Sequence, residues 1–378
     1  MNYHQDQDLH RIARIIGESI ELFQLDLTEL TVLTEAANGS YFVTPIIAAL
    51  AGGQVRALAK DSSYGKKSDV VKYVSKRINS FKLHNSIEIV TELSDSVIQQ
   101  SNIVTNLGLL RPIGSSFIEA MNNKAVITSM CEDWEIRNED IDLPKCREKG
   151  ILVGAVNEES SLKNIFHYVG FLAMKLILEA GLEVYNNRFL IVSSDKFGDT
   201  IANVLKKNGA EAEIVNTNSF ISLARSNNVK HNNSDDSLKP KTAISEKTAP
   251  TLPGKLPGSY DALVIADFSY RNPIIAQERG VDAVLLKRLY PESKIIHLAG
   301  EVAADYLNDN EIICYPLQNG VKQRMSKTLD YLGIRPLIEL HTAGLKVGEM
   351  LAKERLKGIG KEKIHKMFNE QSLCQILS

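Results

Sequence analysis

His297 and Glu301 place an imidazole and a carboxylate four positions apart at the end of an apolar run. Such a pair can pass a proton to and from a bound molecule, so these two are the candidate catalytic residues. A cation for an anionic substrate is offered by Arg111, which follows Asn106 and Gly108 after another apolar run. Glu35, Asn38, Gly39 and Ser40 form the polar loop behind the first such run. Loops at that position face ligand in parallel sheets. The charged turn Glu132-Asp133-Trp134-Glu135, with Arg137, surrounds the only tryptophan and adds Glu135 and Arg137 to the substrate-binding candidates. Asn157 and Glu158 end one further run, and His341 stands near the start of a helix predicted over Leu337–Leu356. Gly344 and Gly348 on that helix read as small residues that permit close packing. No HExxH, P-loop, GxSxG or Cys/His cluster occurs. Zinc chemistry, NTP hydrolysis and serine hydrolysis therefore lack support, and no metal site is expected.

The stretch Arg188 to Asn216 reads as strand, turn, helix and strand. Phe189–Val192 is a buried apolar run, Ile201, Val204 and Leu205 recur at helical spacing, and Gly209 stops the helix. This is the opening unit of a dinucleotide-binding domain with a degenerate glycine motif. The pattern G-x-G-x-x-G falls on Ser193, Asp195 and Gly198. Only the third glycine survives, the one needed for close helix–strand packing. The cofactor-binding candidates are Ser193, Ser194, Asp195, Lys196, Phe197 and Gly198, then Asn216 after the second strand and Asp267 after Ala262–Ala266. Asp195 puts a carboxylate where a pyrophosphate would approach the helix N-terminus, repelling it unless Lys196 compensates. Asn216 offers a ribose hydroxyl an amide in place of a carboxylate. NAD or NADP is the cofactor such a turn serves, with weak or absent binding expected.

These residues must be positioned by an α/β frame. Apolar strand runs alternate with helical periodicity along the chain, which predicts parallel sheets. Strands are predicted at Leu30–Thr34, Val55–Ala59, Ile87–Val90, Asn102–Asn106, Ala125–Met130 and Ile151–Val156. A long apolar helix is predicted over Glu159–Leu182. Further strands are predicted at Ala262–Ala266, Lys294–Leu298 and Ile312–Tyr315. Ala224 to Ser259 contains no aromatic residue and four of the eleven prolines, so it is predicted to be a disordered loop insertion.

With 378 residues the chain can form two domains. Its net charge of −2 gives no basic field to draw nucleic acid. No apolar run is long enough for a membrane span, and the polar start carries no signal peptide. The four cysteines lack CxxC spacing and read as reduced thiols of a cytoplasmic protein.

Two passages carry a family resemblance. One is Asn102 to Val156, with Asn-Ile-Val-Thr-Asn-Leu-Gly, Lys-Ala-Val-Ile-Thr-Ser-Met and Asp140-Ile-Asp-Leu-Pro-Lys-Cys-Arg-Glu-Lys-Gly-Ile-Leu-Val. The other is Tyr260 to Leu307, where Leu286 to Gly300 follows a "L-x-x-L-x-P-x-x-x-I-I-x-x-A-G" pattern. Together they resemble the D-isomer-specific 2-hydroxyacid dehydrogenases, the formate/glycerate dehydrogenase group. The resemblance implies a flavodoxin-like substrate domain over residues 1–158 and an inserted Rossmann-like domain over 159–336. Helices over 337–378 would return to the first domain, with substrate and cofactor meeting in the cleft. It also implies a homodimer paired through the cofactor domain, to which Glu159–Leu182 would lend an apolar helix. The family's substrate-holding arginine falls on Leu298-Ala299-Gly300-Glu301, and its Pro-His falls on Pro316-Leu317, so neither catalytic group is present. Two functions follow. One is a divergent NAD(P)-dependent oxidoreductase-like enzyme acting on a small anionic metabolite. The alternative is a non-redox or non-catalytic relative that has lost its cofactor and serves as a binding or scaffold protein.

Overall fold

The computed structural model describes residues 2–160, 162–222, 260–320, 324–368 and 373–377, and the side chains of these from residue 8 onward. The segment Ala224–Ser259, predicted to be disordered, lies outside the described residues. The chain divides into two compact units. Unit 1 comprises Met1–Phe166 and Gly333–Ser378, and unit 2 comprises His167–Leu332.

Unit 1 is built on β1 (Thr31–Glu35), β2 (Gln54–Leu58), β3 (Ile87–Val90), β4 (Ile103–Thr105), β5 (Val126–Thr128) and β6 (Leu152–Val156). The strands are short apolar runs buried on both faces; Val32, Leu33, Ile103, Val104, Val126 and Ile127 have no exposed area. That pattern belongs to a parallel sheet with helices on both faces. β1 is the pivot, with Val32 paired to Val55 on one side and to Ile103 on the other. The order β2-β1-β4-β5-β6 is flavodoxin-like. β3 extends it at one edge, and a strand at Cys374–Ile376 extends it antiparallel at the other. The long helix Ile334–Leu356 crosses the sheet at β4, β5 and β6 and packs on the N-terminal helix Asn2–Phe23. Its Gly348 permits this approach, since a Cβ there would lie 2.7 Å from Ile103 Cγ2.

Unit 2 carries β7 (Arg188–Val192), β8 (Glu211–Val215), β9 (Ala262–Ala266), β10 (Pro273–Ile275), β11 (Lys294–Ala299), β12 (Glu301–Val302) and β13 (Cys314–Tyr315). Its main sheet runs β13-β11-β9-β7-β8, all parallel. The order reverses between β7 and β9, because β8 lies on one side of β7 and β9 on the other.

The apolar helix predicted over Glu159–Leu182 is shorter, Tyr168–Glu179. Before it the chain turns back, and the Glu158 carbonyl accepts the N–H groups of Ile165 and Phe166. Val169, Leu172, Ala173, Leu176 and Ile177 on this helix are buried, and it packs on helix Lys196–Lys207 of the same unit. Its apolar face belongs to the core of unit 2, so it supplies no argument for a dimer.

Candidate functional site

In open α/β sheets ligands bind outside the carboxyl ends of the strands, where the strand order reverses. In unit 2 this point lies beyond β7 and β9, which are followed by Ser193 and Asp267. Strand β7 feeds the turn Ser193–Asp195, and helix Lys196–Lys207 starts directly behind it. Gly198 stands where the sequence requires a glycine, since a Cβ would lie 2.9 Å from Ser193 Cβ.

The N–H groups of Ser194, Phe197 and Gly198 and the Ser193 hydroxyl are directed at protein oxygens. Asp195 caps the helix, its Oδ1 accepting Phe197 N–H at 3.1 Å and the Ser193 hydroxyl at 3.1 Å. Its Oδ2 accepts the N–H groups of Phe268 at 2.9 Å and Ser269 at 3.0 Å, from the loop behind β9. Gly198 N–H donates to Ser193 Oγ at 3.1 Å. Ser194 N–H donates to Asp267 Oδ2 at 2.9 Å, and the Thr217 hydroxyl donates to the same oxygen. Asp267 Oδ1 accepts the Ser269 hydroxyl at 2.9 Å and Tyr270 N–H at 3.0 Å. Phe197 and Phe268 stack with centroids 6.0 Å apart and planes at 13°.

Asp267 is fully buried. Burial pushes its carboxyl up, but the donors from Thr217, Ser194 and Ser269 outweigh it and hold the group below the ordinary carboxylate range. Asp195 moves the other way, raised by burial and by the neighbouring Asp267 charge. Asn216 is exposed, and its Oδ1 accepts Asn218 N–H at 3.0 Å, so it shapes the turn after β8. A dinucleotide pyrophosphate needs backbone donors at the helix N-terminus. Here Asp195 Oδ1 takes the Phe197 N–H, Ser193 Oγ takes the Gly198 N–H, and a carboxylate stands at the same helix N-terminus, so the residues present do not fit that group.

His297 and Glu301, read from the sequence as an acid/base pair, lie near the end of β11 and at the start of β12. His297 has no exposed area, and its Nε2 lies 3.0 Å from the Gly300 carbonyl oxygen. Its Nδ1 is buried without a partner among the described residues, and burial lowers the ring's basicity. A ring enclosed in this way presents neither nitrogen to a substrate. Glu301 opens β12, paired parallel to β10.

In unit 1 the order reverses between β1 and β4, and their carboxyl ends bring together Glu35, Asn106, Gly108 and Arg111. Glu35 is 5% exposed, and its Oε2 accepts Leu109 N–H at 2.8 Å. Burial raises the carboxyl of Glu35 against the opposing pull of that N–H and of Arg111 and Lys60. A Cβ at Gly108 would lie 3.7 Å from both Glu35 Oε2 and Arg111 Nη2, so the glycine stands between acid and cation. Asn106 ties β4 to β5, donating to Ser129 Oγ at 2.8 Å and accepting Met130 N–H at 2.9 Å.

Arg111 is not an unpaired cation. It lies 3.2 Å from Asp140 Oδ2, and Arg137 grips the same carboxylate at 3.0 and 2.9 Å. Glu135 serves a capping box, its Oε1 accepting Glu132 N–H at 3.1 Å. Glu132 Oε1 accepts Glu158 N–H at 3.0 Å, and its other oxygen accepts Trp134 Nε1–H. Gly39 turns toward helix Lys67–Ser80, with its carbonyl accepting the Tyr73 hydroxyl at 3.3 Å. A Cβ on Gly65 would lie 2.9 Å from Asn38 Nδ2, which places Asn38 against that neighbouring loop.

His341 belongs to the core. It is 2% exposed, with Nδ1 2.6 Å from Thr44 Oγ1 and its ring 5.6 Å from that of Tyr41. Burial alone lowers its pKa to about 3. All four cysteines are free, and burial pushes each thiol up, Cys146, Cys314 and Cys374 to about 12. Among the described residues no cluster of three or more His, Cys, Asp or Glu is placed to hold a metal ion. No helix among them is long and apolar enough to cross a membrane.

The sequence reading missed Thr217, Phe268, Leu109 and Ser269, whose N–H or hydroxyl groups satisfy the acids at the two reversal points. A backbone donor leaves no mark on residue type. Thr217 and Ser269 carried the legible signal, a hydroxyl a few positions behind a strand.

No family model matches the chain, and no curated protein matches it. Among solved structures it is similar to the first component of dipicolinate synthase from Bacillus halodurans, at 11% identity and a TM-score of 0.47, covering 87% of this chain and 99% of that one. The corresponding dipicolinate synthase polypeptide from Bacillus subtilis is similar at 13% identity and a TM-score of 0.46, covering 90% and 99%. NAD-dependent formate dehydrogenase from Staphylococcus aureus is similar at 12% identity and a TM-score of 0.41, covering 92% and 99%.

Proposed function

We propose that this chain binds a small polar metabolite at the carboxyl edge of the unit 1 sheet and works without a nicotinamide cofactor. Of the two functions open to the sequence, this is the non-redox one. One observation carries it: the Asp195 carboxylate accepts the N–H groups of Phe197, Phe268 and Ser269 in the place a pyrophosphate would take. A second anion there must displace a carboxylate from three donors and then face its charge. On the unit 1 side, Glu35 is the titratable group that meets the ligand. Arg111, held by Asp140 and partly exposed, is its cationic partner.

Calorimetric titration of the full chain with NAD and with NADP tests the reading. Binding is expected to be absent or to have a Kd of roughly 0.1–1 mM. Asp195→Gly is expected to tighten it by about tenfold, as the donors are released. A wild-type Kd well below about 0.1 mM would return the oxidoreductase-like reading.

A further inference from the structure

Unit 1 contains a polar cavity lined by neither Glu35 nor Arg111. It lies between helix Asn2–Phe23, the turn Gly39–Phe42 and helix Lys67–Ser80, and its volume is about 560 Å³. That is room for a metabolite-sized molecule. Arg11, Lys76 and Arg77 line it together with Ser40, Phe42 and Tyr73, and Asp8 is the one carboxylate of the described lining.

Arg77 is held in place by aromatic rings. Its guanidinium carbon lies 4.3 Å from the centre of the Tyr73 ring and 5.5 Å from that of Phe42. The two rings meet edge to face, 6.1 Å apart. The Tyr73 hydroxyl is fixed on the Gly39 carbonyl at 3.3 Å. Rings of this kind stabilise a cation but supply no hydrogen-bond acceptor in line with its N–H groups. Accordingly, Arg77 Nε is buried and lacks a hydrogen-bond partner among the described residues. Within the same residues, Arg11, Lys76 and Arg77 make no ion pair.

A buried donor without an acceptor is unfavourable, and cations gathered on one cavity repel each other. A multiply charged anion in the cavity relieves that repulsion, through the terminal nitrogens of Arg77 and the charges of Lys76 and Arg11. We propose that this cavity binds a small molecule bearing phosphate, with Arg77 presenting its fork to the phosphate oxygens and Lys76 and Arg11 supplying further charge. A phosphate group carries about two negative charges and three acceptor oxygens, which suits a planar guanidinium beside two other cations. A carboxylate offers half that charge.

The probe is inorganic pyrophosphate, titrated calorimetrically into the full chain at fixed ionic strength, with citrate as the carboxylate comparison. One saturable site is expected, with pyrophosphate about tenfold tighter than citrate or better. Lys76→Gln alters an exposed side chain and leaves folding intact, and it is expected to weaken pyrophosphate by about tenfold. Arg77→Gln is expected to weaken it further. Lys206→Gln, on an exposed helix end of unit 2, is expected to change nothing. Absence of saturable binding overturns the proposal, as does equal affinity for citrate. Wild-type affinity in both the Lys76 and Arg77 variants, each with a native circular dichroism spectrum, also overturns it.

Discussion

Asp195 and Asp267 each accept backbone N–H groups that flank the other. Asp267 takes Ser194 N–H, and Asp195 takes Phe268 and Ser269 N–H. The two carboxylates thus clasp the loops behind β7 and β9 across the point where strand order reverses. Unit 1 repeats the device in simpler form, with Glu35 at the end of β1 accepting Leu109 N–H from the loop behind β4. In both units an acid from the pivot strand closes the reversal point of its own sheet. In unit 2 the closure sets the Asp195 carboxylate at the N-terminus of helix Lys196–Lys207. In unit 1 it leaves Gly108 and the partly exposed Arg111 beside the acid.

The clasp makes Asp195 structural. Asp195→Ala removes a helix cap and the acceptor for two loop N–H groups, and is expected to destabilise the protein by about 1–3 kcal/mol. Urea denaturation would measure this. An unchanged midpoint with an unchanged slope would show that the loops hold without the clasp.

His341 provides a pH signature. Its pKa is lowered from 6.5 to about 3 by burial, so in the unfolded chain it takes a proton that the native core refuses. The native advantage is fully present above pH 6.5 and is lost as pH falls toward about 3. The groups facing the ring, Thr44 and Tyr41, carry no charge to oppose this. Over that window the residue contributes a slope of up to about 1.4 kcal/mol per pH unit. His341→Gln is expected to flatten the acid limb of the stability curve by about one proton, whatever its effect at neutral pH. A limb of unchanged steepness would show that the ring is protonated in the fold.

Much of the frame was legible because buried parallel strands are continuous apolar runs. Ile87–Val90 and Ala262–Ala266 were read to the residue, and β1, β2 and β6 to within one position at either end. What escaped was short or set by tertiary contacts. β12 has two residues and depends on pairing with β10, a relation that no local pattern announces. The predicted helix over Glu159–Leu182 begins late because the Glu158 carbonyl captures N–H groups seven and eight residues ahead. For the site, residue type located the strand ends correctly but gave no view of burial. His297, read as a catalytic residue, and His341, read as substrate-binding, are enclosed, while Asp195, read as repelling a phosphate, accepts the N–H groups of Phe268 and Ser269.

The glycines of helix Ile334–Leu356 read as packing residues, and their surroundings agree. A Cβ at Gly348 would press on Ile103 Cγ2 at 2.7 Å, and one at Gly344 would overlap Met130 Sδ. Gly344→Ala and Gly348→Ala are each expected to destabilise by about 1–3 kcal/mol, despite alanine's better helix propensity. Gly17, on the exposed face of helix Asn2–Phe23, has nothing within 4 Å of its Cβ position. There the propensity term acts alone, and Gly17→Ala is expected to stabilise by about 0.5–1 kcal/mol. Thermal melts of the three variants would show the opposite signs. Equal shifts would mean that the long helix can slide to make room.

Asp140 joins Arg111 and Arg137 and is 7% exposed. Burial would raise its carboxyl, but the hydrogen bonds from Arg137 and the charge of Arg111 prevail and lower it from 3.8. The sign follows: the native advantage of this group is present above pH 3.8 and lost as pH falls through its lower folded value. Asp140→Asn leaves two guanidiniums facing a neutral amide. Because both arginines are partly exposed, the loss at pH 7 is expected to be about 1–2 kcal/mol, below that of a fully buried pair. Acidification protonates the wild-type carboxyl and removes the same interaction, so the stability difference should shrink as pH drops below 3.8. Denaturant titrations of both proteins at several pH values would show this convergence. A difference that persists undiminished in acid would assign the role of Asp140 to shape and hydrogen bonding, with its charge playing no part.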